Sequence, residues 1–203
     1  MSLPAILERI AQIDQIVAPK PPASTGGASP SGFLTALNDG IQRGSSLAAP
    51  AAAPAAAGTG GAGALAAAQS QVGVSEQPPG SNDGPQIAEY RTATAGSGVG
   101  PWCAYFTSWA AREAGVPLGD AGQGFGRVDD VWAWAERSGK AIPAAGAQPQ
   151  PGDLIVWDEH IGVVESVGAD GRINTIEGNS SDSVARRGYG ADGGGAIGYV
   201  RLG

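Results

Sequence analysis

The sequence predicts an α+β fold for the C-terminal part of the chain, with helices first and a small antiparallel sheet afterwards. Residues 64–138 carry apolar side chains at helical spacing, in segments that end at glycine or at turn residues. After Pro151-Gly152 the spacing changes to two, which is typical of strands with one buried face. A run of helices followed by a run of strands indicates an α+β domain.

Four helices are predicted, at 64–72, Pro85–Tyr90, Cys103–Ala114 and Val128–Ser138. The second follows a turn predicted at Ser81–Gly84. The last two are followed by Gly115 and Gly139, and glycine readily adopts the left-handed conformation that closes a helix.

Four strands are predicted, at Asp153–Trp157, His160–Val167, Arg172–Gly178 and Ile197–Leu202. With a four-residue hairpin loop at 168–171, His160 lies opposite Asn179 and Gly162 lies opposite Glu177. This register also groups four apolar side chains on the other face, Ile161, Val163, Val167 and Ile176. A three-residue loop would shift Glu177 by one position and break the polar cluster.

The region before this domain differs in composition. Residues 1–43 contain two short amphipathic patterns, which predict helices that dock on a protein partner or on the domain itself. Residues 44–63 are rich in Ala, Pro and Gly and predict a flexible linker. Their GxGxxG match follows no strand, so it does not indicate a dinucleotide site. The expected organisation is a docking segment at 1–43, a linker at 44–63 and a folded domain at 64–203.

Composition and charge exclude several classes of function. The formal net charge is −7 and the pI is about 4.6, so nucleic acids and anionic membranes would be repelled. The sequence has no long apolar run that could span a membrane. One cysteine and one histidine exclude an internal disulfide and a four-ligand zinc site made of these residues. We expect no metal and no cofactor.

Thiol and imidazole chemistry must involve Cys103 and His160. Cys103 begins a predicted helix, where backbone N–H groups and the helix dipole favour the thiolate that attacks amide carbonyls. His160 would serve as general base and then acid, Glu177 would orient it, and Asn179 would orient it or help bind the oxyanion. The alternatives are a buried structural thiol for Cys103, and a solvated strand end and turn for Glu177 and Asn179.

Residues 64–203 resemble the CHAP domain, the cysteine- and histidine-dependent amidohydrolase/peptidase family of the papain-like superfamily. The segments that carry the resemblance, in the family's order, are SNDGPQIAEY (81–90), PWCAYFTSWAAREAG (101–115), PGDLIVW (151–157), HIGVVESV (160–167) and TIEGNS (175–180). The resemblance implies a thiol hydrolase of peptidoglycan that cuts the muramoyl–alanine amide or a bond within the peptide. It also implies a catalytic set of Cys103, His160, Glu177 and Asn179.

Five further residues are predicted to contact the substrate. Trp102 flanks the nucleophile and Trp157 ends the strand before the histidine, so both are expected to line the groove. Ser81, Asn82 and Tyr90 match the family's early segment and are expected to border the cleft.

Two other functions stay open at this point. The first is a papain-like acyltransferase or general protein peptidase. The second is a non-catalytic assembly or adaptor protein with an inactive hydrolase domain, since residues 1–43 resemble components of flagellar or phage structures. The N-terminus lacks the features of a Sec signal peptide. A peptidoglycan substrate therefore predicts an extracytoplasmic location, in the periplasm or cell wall, by another route, with a cytoplasmic location left open.

Overall fold

The structure is a computed structural model that describes residues 60–203. The four helices of this part are α1 (Gly60–Ser70), α2 (Pro85–Arg91), α3 (Cys103–Glu113) and α4 (Val128–Arg137). The strands are β1 (Ala141–Pro143), β2 (Leu154–Val156), β3 (Ile161–Val167), β4 (Ile173–Glu177), β5 (Ala185–Tyr189) and β6 (Gly198–Val200). The predicted α+β class is confirmed.

All six strands form one antiparallel sheet in the order β1-β6-β2-β3-β4-β5. The four predicted strands correspond to β2, β3, β4 and β6, whereas β1 and β5 were not predicted. β5 is an edge strand with two arginines and a glycine, and only its ends are partly buried. Its sequence therefore lacks the apolar alternation by which strands are recognised.

The hairpin between β3 and β4 reaches the predicted register by a different route. Val167 pairs with Ile173, so the loop has one residue more than predicted. A β-bulge at residue 165 then shifts the ladder by one position, and Val163 pairs with Ile176 as predicted. The predicted register is wrong only at the loop end of the hairpin, where Val167 is 38% exposed rather than on the buried face. At the other end of the hairpin the predicted cluster can form.

The first helix starts earlier than predicted, inside the segment that was assigned to the linker. An added Cβ at Gly60 would lie 2.5 Å from Leu202 O, and one at Gly61 would lie 3.2 Å from Gly152 O. These glycines thus allow α1 to pack directly on the backbone of the domain. The predicted helices at 1–43 and the linker up to residue 59 lie outside the described residues.

Helix α3 is the centre of the core. Every residue from Cys103 to Ala111 is buried, and the helix packs on α1, α2 and β3. Tyr90 of α2 contacts the rings of Trp102, Phe106 and Trp109 at centroid distances of 5.0–5.8 Å. The start of α3 is therefore fixed in the interior. Within residues 60–203, no helix has the length and apolarity needed to cross a membrane.

Candidate active site

Cys103 lies at the first position of α3 and is 5% exposed. The residue before it, Trp102, is the N-cap of α3, but its side chain makes no capping hydrogen bond to the helix. The side chain of Trp102 is fully buried. Its indole Nε1 donates a 2.8 Å hydrogen bond to Oε1 of Glu76, and Oε2 of Glu76 accepts a 2.8 Å hydrogen bond from the backbone N–H of Asn82. The buried side chain of Glu76, 2% exposed, thus anchors the start of the helix that begins with Cys103.

His160 lies directly before β3 and faces both Cys103 and Glu177. Its Nε2 is 2.9 Å from Oε2 of Glu177, and its ring lies close enough to the side chain of Cys103 for the two groups to interact. Because Nε2 is occupied, Nδ1 is the ring nitrogen left for the thiol. Burial of the ring disfavours its charged form, but the hydrogen bonds and charges of Cys103 and Glu177 prevail and raise the pKa of His160 to about 9. At neutral pH the ring is therefore an imidazolium.

Glu177 is the residue that holds this imidazolium. It is 2% exposed, and its Oε1 accepts hydrogen bonds of 2.6 Å from Thr175 Oγ1 and 2.9 Å from Tyr189 Oη. Burial alone would raise the pKa of Glu177, but the hydrogen bonds from His160, Thr175 and Tyr189 lower it below its ordinary value. Burial and the neighbouring carboxylate raise the pKa of Tyr189 to about 12, so this hydroxyl stays a neutral donor. Glu177 is a fully bonded, ionised carboxylate.

Two glycines allow the parts of the site to approach each other. An added Cβ at Gly162 would lie 2.6 Å from Cγ of Glu177, which confirms the prediction that Gly162 leaves room for this side chain. An added Cβ at Gly178 would lie 2.6 Å from Cβ of Phe106, one turn after Cys103. Gly178 therefore permits the close packing of α3 on the end of β4, which brings Cys103 close to His160.

The predicted partnership of His160 with Glu177 is confirmed, whereas the position of Asn179 differs from the prediction. Asn179 lies in a left-handed turn after β4, with φ of 56°. Within the described part of the chain, the ring of His160 hydrogen-bonds Glu177 and interacts with Cys103, and it makes no hydrogen bond to Asn179. The turn ends the ladder before Asn179 can lie opposite the histidine. Its part in binding an oxyanion stays a prediction.

The structure contradicts two of the five predicted substrate contacts. Trp102 and Tyr90 are fully buried in the aromatic cluster, so neither lines a groove. Trp157 is partly buried and packs on the rings of His160 and Tyr189, at centroid distances of 5.7 and 5.0 Å. Its Nε1 donates a 2.8 Å hydrogen bond to Gly193 O, which fixes the indole against His160. Contact of Trp157 with a substrate stays a prediction.

The remaining two, Ser81 and Asn82, are partly buried in the loop before α2. Glu76 ties the backbone of Asn82 to the start of α3, as described above. Contact of these two residues with a substrate stays a prediction.

Three residues that hydrogen-bond the parts of the site were missed in the sequence, namely Glu76, Thr175 and Tyr189. Thr175 was detectable in principle, because it lies two positions before Glu177 and so on the same face of β4. Tyr189 depends on the unpredicted strand β5, and Glu76 depends on a loop without a periodic pattern. No local signal identifies these two.

Beside Cys103 lies an open cleft with a volume of about 480 Å³. Its walls are formed by residues around the start of α3, by residues 126–129 and by the turn before His160. Among residues 60–203, no group of three or more His, Cys, Asp or Glu side chains is arranged to hold a metal ion.

A buried thiol, an imidazolium bonded to it and a carboxylate that holds the imidazolium are the elements of a cysteine-dependent acyl-transfer site. Residues 94–179 match the family model of the CHAP domain, and this range includes Cys103, His160, Glu177 and Asn179. This stretch of the chain is therefore similar to CHAP domains. CHAP domains are typically hydrolases, and the match indicates a family of amidases and peptidases that act on peptidoglycan. Neither the curated proteins nor the solved structures contain a match to the chain.

Proposed function

We propose that this protein is a peptidoglycan hydrolase that cleaves an amide bond of the cell-wall peptide, either the muramoyl–alanine bond or a bond within the peptide. The observation that carries the proposal is the bridge formed by His160 between Cys103 and Glu177. A cysteine with only a structural role needs neither an imidazolium at its sulfur nor a buried carboxylate behind that imidazolium. The CHAP match supports peptidoglycan as the substrate class.

The first half of the proposed reaction is acylation. The sulfur of Cys103, as thiolate, attacks the carbonyl carbon of the substrate, and the imidazolium of His160 gives its Nδ1 proton to the leaving amine. The amine departs and a thioester remains on Cys103. The backbone N–H groups in the first turn of α3 have no intrahelical acceptor, so they can stabilise the negative oxygen of the tetrahedral intermediate.

The second half is hydrolysis of the thioester. His160, now neutral, takes a proton from a water molecule, and the hydroxide attacks the acyl carbon. The carboxylic acid product leaves, and the thiolate–imidazolium pair is restored. Throughout the cycle Glu177 holds Nε2 of His160 protonated, so Nδ1 is the nitrogen that accepts and donates.

The substrate sets the expectations for location and partners. We propose that the protein acts outside the cytoplasm and that residues 1–43 bind a protein partner that brings the domain to the wall. The polymer itself is anionic, and so is this chain, with a net charge of −7. A protein partner would overcome this repulsion.

The test compares purified protein with its Cys103→Ala variant on purified peptidoglycan sacculi, with mass spectrometry of the released fragments. The wild type is expected to release fragments whose new ends identify the bond, and the variant is expected to lose at least about 10³-fold in rate. Circular dichroism checks that the variant folds. Equal release by both proteins would contradict the role of Cys103. A folded wild type that cleaves no sacculus of any peptide chemotype, with an unreactive Cys103, would favour the adaptor function.

A further inference from the structure

The edge strand β5 supplies a second support for Glu177, the residue that holds the imidazolium. Oε1 of Glu177 accepts hydrogen bonds from Thr175 of its own strand, at 2.6 Å, and from Tyr189 of β5, at 2.9 Å. Oε2 lies 2.9 Å from Nε2 of His160. Because two donors hold one oxygen, the carboxylate is fixed in the orientation that directs its other oxygen at the imidazole. Tyr189 is the donor that reaches Glu177 from another strand.

Tyr189 also supports His160 through a second side chain, Trp157. The indole of Trp157 packs on the phenol ring of Tyr189 at a centroid distance of 5.0 Å and on the imidazole of His160 at 5.7 Å. The imidazole is therefore held at Nε2 by a carboxylate that Tyr189 bonds, and at its face by an indole that Tyr189 contacts. Two separate contacts of one tyrosine thus lead to the same ring.

The loop between β5 and β6 holds both aromatic rings in place. Gly193 O accepts the 2.8 Å hydrogen bond from Nε1 of Trp157. An added Cβ at Gly194 would lie 2.5 Å from Cδ1 of Tyr189, so the absence of a side chain lets the loop backbone lie against this ring. The backbone N–H of Gly193 donates a 3.0 Å hydrogen bond to Gly190 O, which closes the loop on itself. Residues 190–195 therefore form a shaped support for the two rings.

We propose that Tyr189 is a positioning residue for the general base, which holds Glu177 in place for His160, and that residues 190–195 hold Tyr189. The inference rests on the proposed function, because a histidine needs a fixed orientation and tautomer only if it transfers protons. Tyr189 contacts Glu177 and Trp157, so it acts through them rather than on the reacting atoms. Without its hydroxyl, Glu177 keeps fewer donors and loses part of its orientation toward the imidazole.

The groups that act on the ionisation of Glu177 come from three strands. His160, directly before β3, and Tyr189 of β5 are the titratable groups that hydrogen-bond it, and Thr175 of β4 is a neutral donor. Burial raises the pKa of Glu177, whereas these three hydrogen bonds lower it. Burial and Glu177 raise the pKa of Tyr189, and the charge of Arg187 on β5 opposes them. Removal of the Tyr189 hydroxyl therefore makes Glu177 easier to protonate.

The test uses the single histidine of the chain. In full-length protein without a histidine tag, NMR shows one imidazole. Its signals report its own titration near pH 9 and, at lower pH, the protonation of the neighbouring Glu177. Tyr189→Phe is expected to move the low-pH change to higher pH and to lower kcat on sacculi about tenfold, the effect of one hydrogen bond to a charged group. The control is Tyr199→Phe, which removes a buried hydroxyl from β6 and should change neither quantity.

A second pair of variants tests the loop without altering Tyr189 itself. Gly194→Ala places a methyl group against the ring of Tyr189, whereas Gly195→Ala, in the same loop, meets no atom within 4 Å. Both glycines have a positive φ, of 64° and 78°, so the two substitutions strain the backbone alike. Only Gly194→Ala is expected to move the low-pH change and to lower kcat. Thermal unfolding measures the stability of each variant.

An unchanged low-pH change in Tyr189→Phe, or an equal shift in Tyr199→Phe, would overturn the inference. Equal losses of kcat in Gly194→Ala and Gly195→Ala would overturn the role of the loop. Cleavage by the wild type separates these results from a failure of the proposed function. A wild type that cleaves sacculi without the dependence on Tyr189 refutes the positioning role alone. A wild type that cleaves nothing but keeps this dependence in the NMR signals refutes the hydrolase and leaves Tyr189 as the support of Glu177.

Discussion

Two buried glutamates support the two reacting groups of the site, and their hydrogen-bond donors differ in kind. Glu177 holds the ring of His160, which gains and loses a proton during the proposed reaction. Glu76 holds the indole of Trp102 and the backbone N–H of Asn82, neither of which changes protonation. Each carboxylate is 2% exposed.

The difference teaches that burial of a carboxylate does not by itself indicate catalysis. A buried polar group needs hydrogen-bond partners, and both glutamates have them. Only at Glu177 do the donors include a titratable ring bonded to the nucleophile, so only there does the carboxylate shift a pKa that matters for the reaction. The proposed reaction therefore uses Glu177 as the support of His160, whereas Glu76 anchors the start of α3.

The largest effect is expected for Glu177→Gln. The amide nitrogen of glutamine would face Nε2 of His160 and favour the wrong tautomer, so kcat should fall about 10³- to 10⁴-fold. The pH profile gives an independent measure. The wild type needs the imidazolium, so its activity should decline as the pH rises through about 9, the raised pKa of His160. In the variant, this decline should move toward the ordinary histidine range. If the variant keeps the wild-type decline of activity near pH 9, Glu177 is not the residue that holds the imidazolium of His160.

A smaller effect is expected for Gly178→Ala, which tests whether the two halves of the site must pack closely. The added methyl group meets Cβ of Phe106 at 2.6 Å, so α3 must move away from β4. We expect a loss of about 1–3 kcal/mol in the free energy of unfolding and a lower kcat in the folded fraction. The matched control is Gly98→Ala, where an added Cβ meets no atom within 4 Å. Equal stability of both variants in urea unfolding would refute this explanation.

The smallest effect on chemistry is expected for Glu76→Gln. Glutamine retains one acceptor oxygen for Trp102 or Asn82 but leaves the other donor poorly paired, which costs about 1–3 kcal/mol of stability. The activity of the folded protein should change only a fewfold, and its decline with rising pH should stay where it is in the wild type. Thermal unfolding and the pH–rate profile measure the two quantities. A loss of kcat as large as that of Glu177→Gln would erase the distinction between the two glutamates.

The sequence alone determined the α+β class, the four helices, four of the six strands and the three residues Cys103, His160 and Glu177 of the candidate site. Cys103 was identified by its place at a helix start and by being the only cysteine, and both signals are local. His160 and Glu177 were brought together by the alternation of β3 and β4, which fixes side-chain direction with a period of two. Buried faces constrain register strongly, so the site end of the hairpin could be predicted even though the loop could not.

Only the tertiary structure decided how these residues are supported. The loop between β3 and β4 is one residue longer than predicted, and the bulge at residue 165 restores the predicted register beyond it. No local sequence pattern indicates this bulge. Tyr189 reaches Glu177 because β5 pairs with β4, and Glu76 reaches Trp102 across 26 positions of the chain. The physical reason is the same in each case. Helix and strand periodicity report which face of a segment is buried, whereas the partner of a buried polar group is set by contacts between distant segments.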